Sequence, residues 1–322
     1  MQSLRTYKNE VFVSLFVCIL VFGVIFAATN VWSASPKARQ KTFASPEEAV
    51  QALVGSMKAG NKKTLSAIFG PEPMAWLSSG DAVRDRAEQE RFLKAYEEKN
   101  FLERAGDDRA ILQVGNDDWL FPFPIIKKGS AWVFDSEAGK EELLNRRIGR
   151  NELRVMEAME EYIAAQREYA SKDRMGGGIN AYAQKFMSTP GKKDGLFWQA
   201  KEGEEESPMG PLVAGAAQEG YTKKTKSKTP SPFQGYYFRI LTAQGEHAPG
   251  GAYDYTVKGN MVLGFGLVAY PAKYGSSGIM TFMVNQEGVV YQKDLGEKTA
   301  QTAAAIRNYD PDTTWKKAQK AQ

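Results

Sequence analysis

Cysteine and histidine are almost absent from this sequence of 322 residues, and their scarcity excludes several kinds of site. The single cysteine, Cys18, lies inside an N-terminal apolar run, so the rest of the chain has no thiol for a disulfide, a zinc cluster or a nucleophile. The single histidine, His247, excludes metal sites that need two histidines, such as the H-E-x-x-H motif. We therefore predict no metal site and no cofactor. A region without cysteine also fits an oxidising compartment.

A large excess of charge of one sign is missing as well. The chain has 42 basic and 38 acidic residues, which gives a formal net charge of +4 at pH 7. A protein dedicated to nucleic acids presents a strongly basic face, so we predict no nucleic-acid partner. Motifs for phosphate binding and for a serine nucleophile are lacking too. No G-x-S-x-G elbow occurs, and the GFG of residues 264–266 lies inside a predicted strand that no helix follows.

The N-terminus contains the pattern of an export signal. Arg5 and Lys8 precede an apolar run from Val11 to Ala28, and the small polar stretch TNVWSASP follows. We predict a signal peptide over residues 1–34 and a periplasmic or cell-envelope location. The apolar run is also just long enough to span a bilayer. An uncleaved inner-membrane anchor through residues 11–28 stays open as the alternative, and the membrane is a partner only through this segment.

The pattern after the export signal predicts an α+β fold in two domains, each with helices packed on a small antiparallel sheet. In the first domain, residues 43–140, Ser45 and Glu48 have the spacing of a capping box at the start of an amphipathic helix. Two more helices and then alternating strands follow, with a hairpin that turns at residues 127–130. Helices followed by a small curved sheet predict a cone-like or cystatin-like domain.

The second predicted domain, residues 152–322, follows a connector at residues 141–151. It begins with a long helix from Leu153 to about Asp173, whose apolar stripe recurs at steps of three or four residues and is typical of core packing. The other faces of this helix carry charged residues: Glu157, Glu161, Arg167 and Glu168.

Residues 235–296 predict an antiparallel meander within this second domain. Short runs rich in Tyr, Phe, Val and Ile are each closed by Gly, Pro or Asn, which is typical of strands joined by tight turns. A long helix followed by such a meander is similar in outline to the globular part of pilins. The prepilin cleavage glycine, followed by a hydrophobic helix with Glu at its fifth position, is absent from the start of the chain. The predicted likeness is therefore one of outline.

Two groups of residues are candidates for ligand binding. Three arginines of the connector, Arg146, Arg147 and Arg150, are close enough in sequence to clamp a carboxylate or a phosphate. The alternative is a solvated connector in which they pair with neighbouring glutamates. The second group lies in a turn-like loop of the meander: His247, Tyr253 and Asp254.

Two runs of like charge lie between the long helix and the meander. An acidic run at residues 202–206 precedes a basic run at residues 223–228. Such runs are typical of solvated loops. Contact of the lysines with anionic lipid or with a cell-wall polymer is the alternative.

Seven stretches of the chain resemble a known family. They read FASPEEAVQALV, SSGD, DDWLFPFPI, LLNRRIGRNE, YAQKFMSTPGKKDGLFW, GYYFRILTAQG and YGSSGIMTFMVNQEGVVYQKDLG, in this order over nearly the whole chain after the export signal. They are similar to those of the bacterial exported family described as domain of unknown function 2950. The resemblance implies export and gives almost no information about molecular activity. Members of that family often carry an aspartate-rich, EF-loop-like run where this chain reads SKDRMGGGIN, whose few side-chain oxygens predict no calcium site.

Two functions stay open at this point. The preferred one is a non-enzymatic envelope module for binding or assembly, whose partner is an envelope protein or a cell-wall polymer. The alternative is an envelope hydrolase that uses a pair of carboxylates on cell-wall or polysaccharide material. Its candidate acids are Asp107, Asp108, Asp117, Asp118, Asp194, Asp254 and Asp294. A close pair of buried acids in one cleft would favour the hydrolase, whereas acids that are exposed or paired with cations would favour the binding module.

Overall fold

The computed structural model of the protein describes residues 39–70, 76, 78–218 and 232–319. The predicted signal or anchor at residues 1–34 and the basic run at residues 223–228 lie outside these ranges. None of the helices within them combines the length and the apolar composition that a bilayer span requires.

Three capped helices come first: α1 (Pro46–Lys58), α2 (Lys62–Phe69) and α3 (Ala82–Glu98). A short polar side chain precedes each helix and accepts a hydrogen bond from a backbone amide of the first turn. These caps are Ser45, Asn61 and Asp81. In α1, the Glu48 carboxylate also reaches back to the backbone amide of Ala44 at 2.9 Å. Such caps satisfy amides that have no partner inside the helix, which is why the helices begin at these residues.

An antiparallel sheet follows. Its five strands are β1 (Asn100–Arg104), β2 (Arg109–Val114), β3 (Trp119–Leu120), β4 (Ile125–Lys128) and β5 (Ala131–Phe134). The strand order is β1-β2-β4-β5, with β3 paired to β2, and β4 and β5 form the predicted hairpin. The chain leaves strand geometry at residues 121–124 because Pro122 and Pro124 have no amide hydrogen to donate to a neighbouring strand.

The residues predicted as a connector are part of a helix. Residues 141–151 lie inside α4 (Ser136–Ala170), a continuous helix of 35 residues. Asp135 caps its start, no proline interrupts it, and Glu142 pairs with Arg146 one turn later at 2.6 Å. The apolar stripe of this polar stretch is narrow, so its sequence gives only a weak helical signal. In the fold it is one long helix that reaches both halves of the chain.

The remaining chain is built on a second antiparallel sheet. After α5 (Gly210–Gln218), a five-stranded sheet contains β6 (Tyr236–Leu241), β11 (Gly266–Pro271), β12 (Met280–Asn285), β13 (Tyr291–Asp294) and β14 (Lys316–Lys317), in the order β14-β13-β12-β11-β6. Two small ribbons interrupt the predicted meander: β7 (Ala243–Gln244) with β8 (Tyr253–Asp254), and β9 (Thr256–Val257) with β10 (Asn260–Met261). Helix α6 (Thr299–Ala305) packs on this sheet near β11.

Two large hydrophobic cores lie along α4. Leu143 and Leu144 pack against the core of α1 to α3 and the first sheet. Val155, Met159 and Tyr162, further along α4, belong to the core of the second sheet. The α+β class with antiparallel sheets is thereby confirmed. The described residues belong to one compact unit, and the division into two domains stays a prediction.

Candidate functional site

The three candidate arginines of α4 have different partners: Arg146 and Arg147 are consecutive and point in different directions, whereas Arg150 lies one turn after Arg146 and contacts another part of the chain. Arg146 lies on the side of α4 next to β3. Its Nε donates to the Glu142 carboxylate at 2.6 Å, its terminal nitrogen donates to the Leu120 carbonyl at 2.7 Å, and its guanidinium lies 5.5 Å from the centre of a Trp119 ring. Arg146 therefore holds β3 against α4.

Arg147 points into the protein and is almost fully buried. It donates to the Trp76 carbonyl at 2.9 Å and to the Ser276 hydroxyl at 3.4 Å. Burial lowers the pKa of Arg147, and the nearby charges of Glu88 and Asp85 oppose that shift. This arginine joins the N-terminal part of the chain to the turn before β12.

Arg150 shares the Glu88 carboxylate with Arg84 of α3. The Arg150 guanidinium and the Arg84 Nε, at 3.0 Å, both donate to the same Glu88 oxygen. Arg84 also donates to the Gln234 side-chain carbonyl at 2.7 Å. Burial lowers the pKa of Arg150, while the charge of Glu88 acts in the opposite direction. Arg150 thus pairs with Glu88, which lies 62 residues earlier in the chain. The residues next to Arg150 in the sequence give no indication of this pairing.

More hydrogen bonds extend this contact to the second sheet. The Asp81 carboxylate, which caps α3, accepts from the Gly235 amide at 3.2 Å. Asn151 donates to the Ser277 carbonyl at 2.8 Å, and one Glu152 oxygen accepts from the amides of Ile279 and Met280. We call this set of contacts between residues 78–88, 147–152, 234–235 and 276–280 the arginine junction. It uses two of the candidate arginines, Arg147 and Arg150, to join parts of the same chain.

The candidate histidine lies on the surface beside an aspartate from the end of the chain. The Nδ1 atom of His247 is 3.1 Å from both carboxylate oxygens of Asp310, and the His247 amide donates to Asp310 at 2.8 Å. The hydrogen bond and the charge of Asp310 raise the pKa of His247. Tyr253 and Asp254 belong to β8, where the Tyr253 ring packs edge-on against Tyr255. His247 and Asp310 tether the C-terminal segment to the β7–β8 ribbon.

The acids proposed for a hydrolase are held by other groups of the chain in several cases. Asp194 accepts from Lys185 at 2.6 Å and from the Thr189 amide at 2.7 Å, and these bonds lower its pKa to about 2. Asp118 pairs with Lys99 at 2.7 Å, and Asp294 caps a turn at Gly296. Within the described ranges, no three His, Cys, Asp or Glu residues are grouped as a metal site would need.

The structure adds a groove that the sequence did not indicate. Its volume is about 420 Å³, and it lies between α4 and the segment that leads into and includes α5. From α4 the described lining is Arg154, Glu157, Ala158, Glu161, Ala164, Ala165 and Glu168. The facing residues are Pro208, Met209, Pro211, Leu212, Ala216, Phe233 and Gln234. We call this feature the acidic groove.

The α4 side of the acidic groove is a single helical face. Its residues recur at steps of three and four, and from residue 154 to residue 168 the helix rises about 21 Å at about 1.5 Å per residue. Ala158 and Ala165 are buried, whereas Ala164 and the glutamates are exposed. Small side chains therefore form the bottom of the groove, and carboxylates line its edge.

Glutamates outnumber cations among the described residues that line the acidic groove. Three glutamates and one arginine among its described residues give a net charge of −2. Arg154 is 3.9 Å from Glu157, near the limit for an ion pair. Burial and the charge of Glu157 raise the pKa of Glu161, and the charge of Arg154 opposes that shift. The sequence predicts that the glutamates lie on polar faces of a helix. It does not indicate the opposite wall of the groove, because that wall begins with residues 208–216, about 50 positions later.

The fold and its surface features define an α+β protein in which one long helix joins two antiparallel sheets. The family model described as "Protein of unknown function (DUF2950)" matches residues 40–318. The chain therefore belongs to this family, and the resemblance drawn from its motifs is confirmed. A search of curated proteins and a search of solved structures found no match.

Proposed function

We propose that this chain is a non-enzymatic binding module of the bacterial cell envelope and that the acidic groove is its binding surface. The observation that carries the proposal is a groove of about 420 Å³ with buried alanines at its bottom, carboxylates along one side and apolar side chains along the other. Pockets with an apolar lining and a few placed polar groups are the usual sites of ligand recognition. The partner is a segment of an envelope protein.

The candidate arginines and the acidic groove differ in whether their polar groups already bind other parts of the chain. Arg146, Arg147 and Arg150 donate to carbonyl, hydroxyl and carboxylate groups of their own chain. An external anion would have to displace these partners. In the groove, by contrast, exposed carboxylates of α4 and the partly buried Met209 and Leu212 line a cavity between the described segments.

The location of the protein rests on the export pattern at its N-terminus. The basic residues and apolar run of residues 1–34 support export to the periplasm or envelope. The full chain, expressed in a bacterial host, should be degraded by protease added to spheroplasts and protected in intact cells. A mature N-terminus near residue 34 would identify a cleaved signal, and a retained N-terminus would identify an anchor. Protection in spheroplasts would contradict export.

Binding in the groove can be tested with a photo-reactive amino acid placed at Leu212 of the full chain in its host. A matched position is Lys94, on the exposed side of α3. We expect a discrete protein adduct at position 212 and none at position 94. The identified partner should then bind the purified chain, and Ala164→Trp should weaken binding at least tenfold by filling the groove. Ala300→Trp, at an exposed position of α6, should have no effect.

Two results would contradict the proposed function. One is the same set of adducts at both positions, and the other is an affinity that Ala164→Trp leaves unchanged while the variant is folded by circular dichroism. Adducts with cell-wall polymer alone would assign the groove to a polysaccharide and reject the protein partner.

A second candidate function, a carboxylate-dependent hydrolase, is favoured by one observation. Glu157 and Glu161 lie one turn apart in the groove, and the raised pKa of Glu161 is a property that general acids share. Purified peptidoglycan and envelope polysaccharides are the substrates to test. If they are cleaved by the chain and spared by both Glu157→Gln and Glu161→Gln variants, the hydrolase is correct. Cleavage that survives both substitutions excludes this pair of acids.

A further inference from the structure

We infer that the occupant of the acidic groove is a cationic, amphipathic helical peptide segment of the partner protein. This inference rests on the proposed function and adds the chemistry of the partner. The groove has two different sides: carboxylates from α4 on one and apolar side chains from residues 208–216 and Phe233 on the other. A segment that complements both must itself carry cations on one side and apolar residues on the adjacent side.

The charge of the groove selects a cation. Among the described lining residues, Arg154 compensates only part of the charge of Glu157, Glu161 and Glu168. Lysine or arginine side chains brought into the groove would pair with these carboxylates and relieve the repulsion between Glu157 and Glu161. An anionic segment, or the phosphates of a lipid or nucleic acid, would add to that repulsion.

The spacing of the glutamates favours a helix over an extended strand. Glu157 and Glu161 are four residues apart and Glu168 follows seven residues later, which is about 6 Å and then about 10 Å along the axis of α4. On a partner helix that runs alongside α4, steps of four and seven residues bring side chains back to the same face. In an extended strand, about 10 Å corresponds to about three residues, and the third side chain would point away.

The bottom of the groove allows such a helix to approach closely. Ala158 and Ala165 are buried there, and exposed Ala164 adds no bulk beyond a methyl group. Apolar residues of the partner helix would then contact Met209, Leu212 and Phe233, which are partly buried in the free chain. Docking of an amphipathic helix into an apolar groove is a recurrent mode of peptide recognition.

The test uses synthetic helical peptides as probes and fluorescence anisotropy with the full chain. The first peptide carries lysines spaced as the three glutamates are, with leucines on the adjacent face. A second peptide has glutamine in place of lysine, and a third has the same composition with the lysines moved to the opposite face. We expect the first peptide to bind at least tenfold more tightly than either of the others, and its affinity to fall steeply as salt is raised.

Variants of the chain locate the effect. The triple substitution Glu157→Gln, Glu161→Gln and Glu168→Gln should weaken binding of the lysine peptide at least tenfold. The matched control replaces three exposed glutamates of α3, Glu90, Glu97 and Glu98, and changes the net charge equally. It should change affinity less than twofold. All variants keep residues 1–38 unchanged. Any binding of the peptide to the N-terminal run is therefore the same in every variant and does not affect the comparison of their affinities.

The outcomes separate this inference from the proposed function. If the glutamine peptide binds as tightly as the lysine peptide and Ala164→Trp abolishes both, the groove is a binding site and the cationic partner is wrong. If the lysine peptide binds but Ala164→Trp has no effect, both proposals fail. Binding of none of the peptides, or full competition by spermidine at the same concentration of charge, overturns the inference of a peptide partner.

Discussion

The shared carboxylate of the arginine junction gives the sharpest prediction about stability. Glu88 accepts from both Arg84 and Arg150, and the Arg84 side chain is only 6% exposed while that of Arg150 is 39% exposed. Glu88→Gln keeps the shape of the side chain and removes its charge. Breaking a fully buried ion pair costs about 3–5 kcal/mol, and an exposed one costs about 0–1 kcal/mol.

The junction lies between these limits. Arg84 retains its bond to Gln234, and water can solvate the exposed part of Arg150. We therefore expect Glu88→Gln to lower the free energy of unfolding by about 2 kcal/mol. The assay is urea unfolding of the full chain followed by tryptophan fluorescence, in which the midpoint should fall while the dependence on urea stays the same.

The same helix provides the control. Arg86 and Glu90 form an ion pair with the same spacing as Arg84 and Glu88, but their side chains are 83% and 64% exposed. Glu90→Gln should therefore change stability by less than about 0.5 kcal/mol. In addition, Arg150→Met should cost less in the Glu88→Gln background than in the native chain, because the pair is already broken. Equal effects of Glu88→Gln and Glu90→Gln would refute the argument that burial makes the junction strong.

Two further predictions concern α4 and the histidine. A Cβ atom at Gly139 would lie 2.0 Å from the buried Phe123 ring, so Gly139→Ala should destabilise the protein by about 1–3 kcal/mol. A Cβ atom at Gly149 would meet no atom within 4 Å, so Gly149→Ala should stabilise α4 by about 0.5–1 kcal/mol in the same urea assay. A gain in stability at both positions would contradict the packing of α4. The raised pKa of His247 means that its ion pair stabilises the fold fully below the unfolded-state pKa of about 6.5 and is lost as pH rises through the higher folded-state pKa. Because the chain has a single histidine, its NMR titration is unambiguous, and Asp310→Asn should lower that pKa; an unchanged value would contradict the pairing.

The helices and sheets were largely predictable because their signals are local. Ser45 and Glu48 indicate a helix start because their side chains can bond to the free amides at the start of the helix, and the structure contains both bonds. The helical structure of residues 141–151 is hard to predict from the sequence because a helix with only a narrow apolar stripe, near Leu143, has a weak periodic signal.

The candidate site was less predictable because its parts are distant in sequence. The sequence shows the cluster of arginines that contains Arg150, but the partner of Arg150, Glu88, lies 62 residues earlier. His247 is a candidate from the sequence, but its partner Asp310 follows 63 residues later. Ion pairs of this kind depend on which surfaces pack together, and neither composition nor spacing contains that information.

The sequence by itself determined the family, the α+β class and the local elements, since these follow from motifs and patterns of residues that are neighbours in the chain. Its counts of one histidine and one cysteine exclude a metal site built on two histidines or on a cysteine cluster. Only the tertiary structure decided what the charged faces of α4 do. Packing of α3 and the second sheet turned one part of the helix into a buried junction, and the approach of residues 208–216 turned another into an acidic groove. The physical reason is that the role of a charged side chain depends on how deeply it is buried and which charged groups lie near it. Both are set when segments that are distant in sequence pack together.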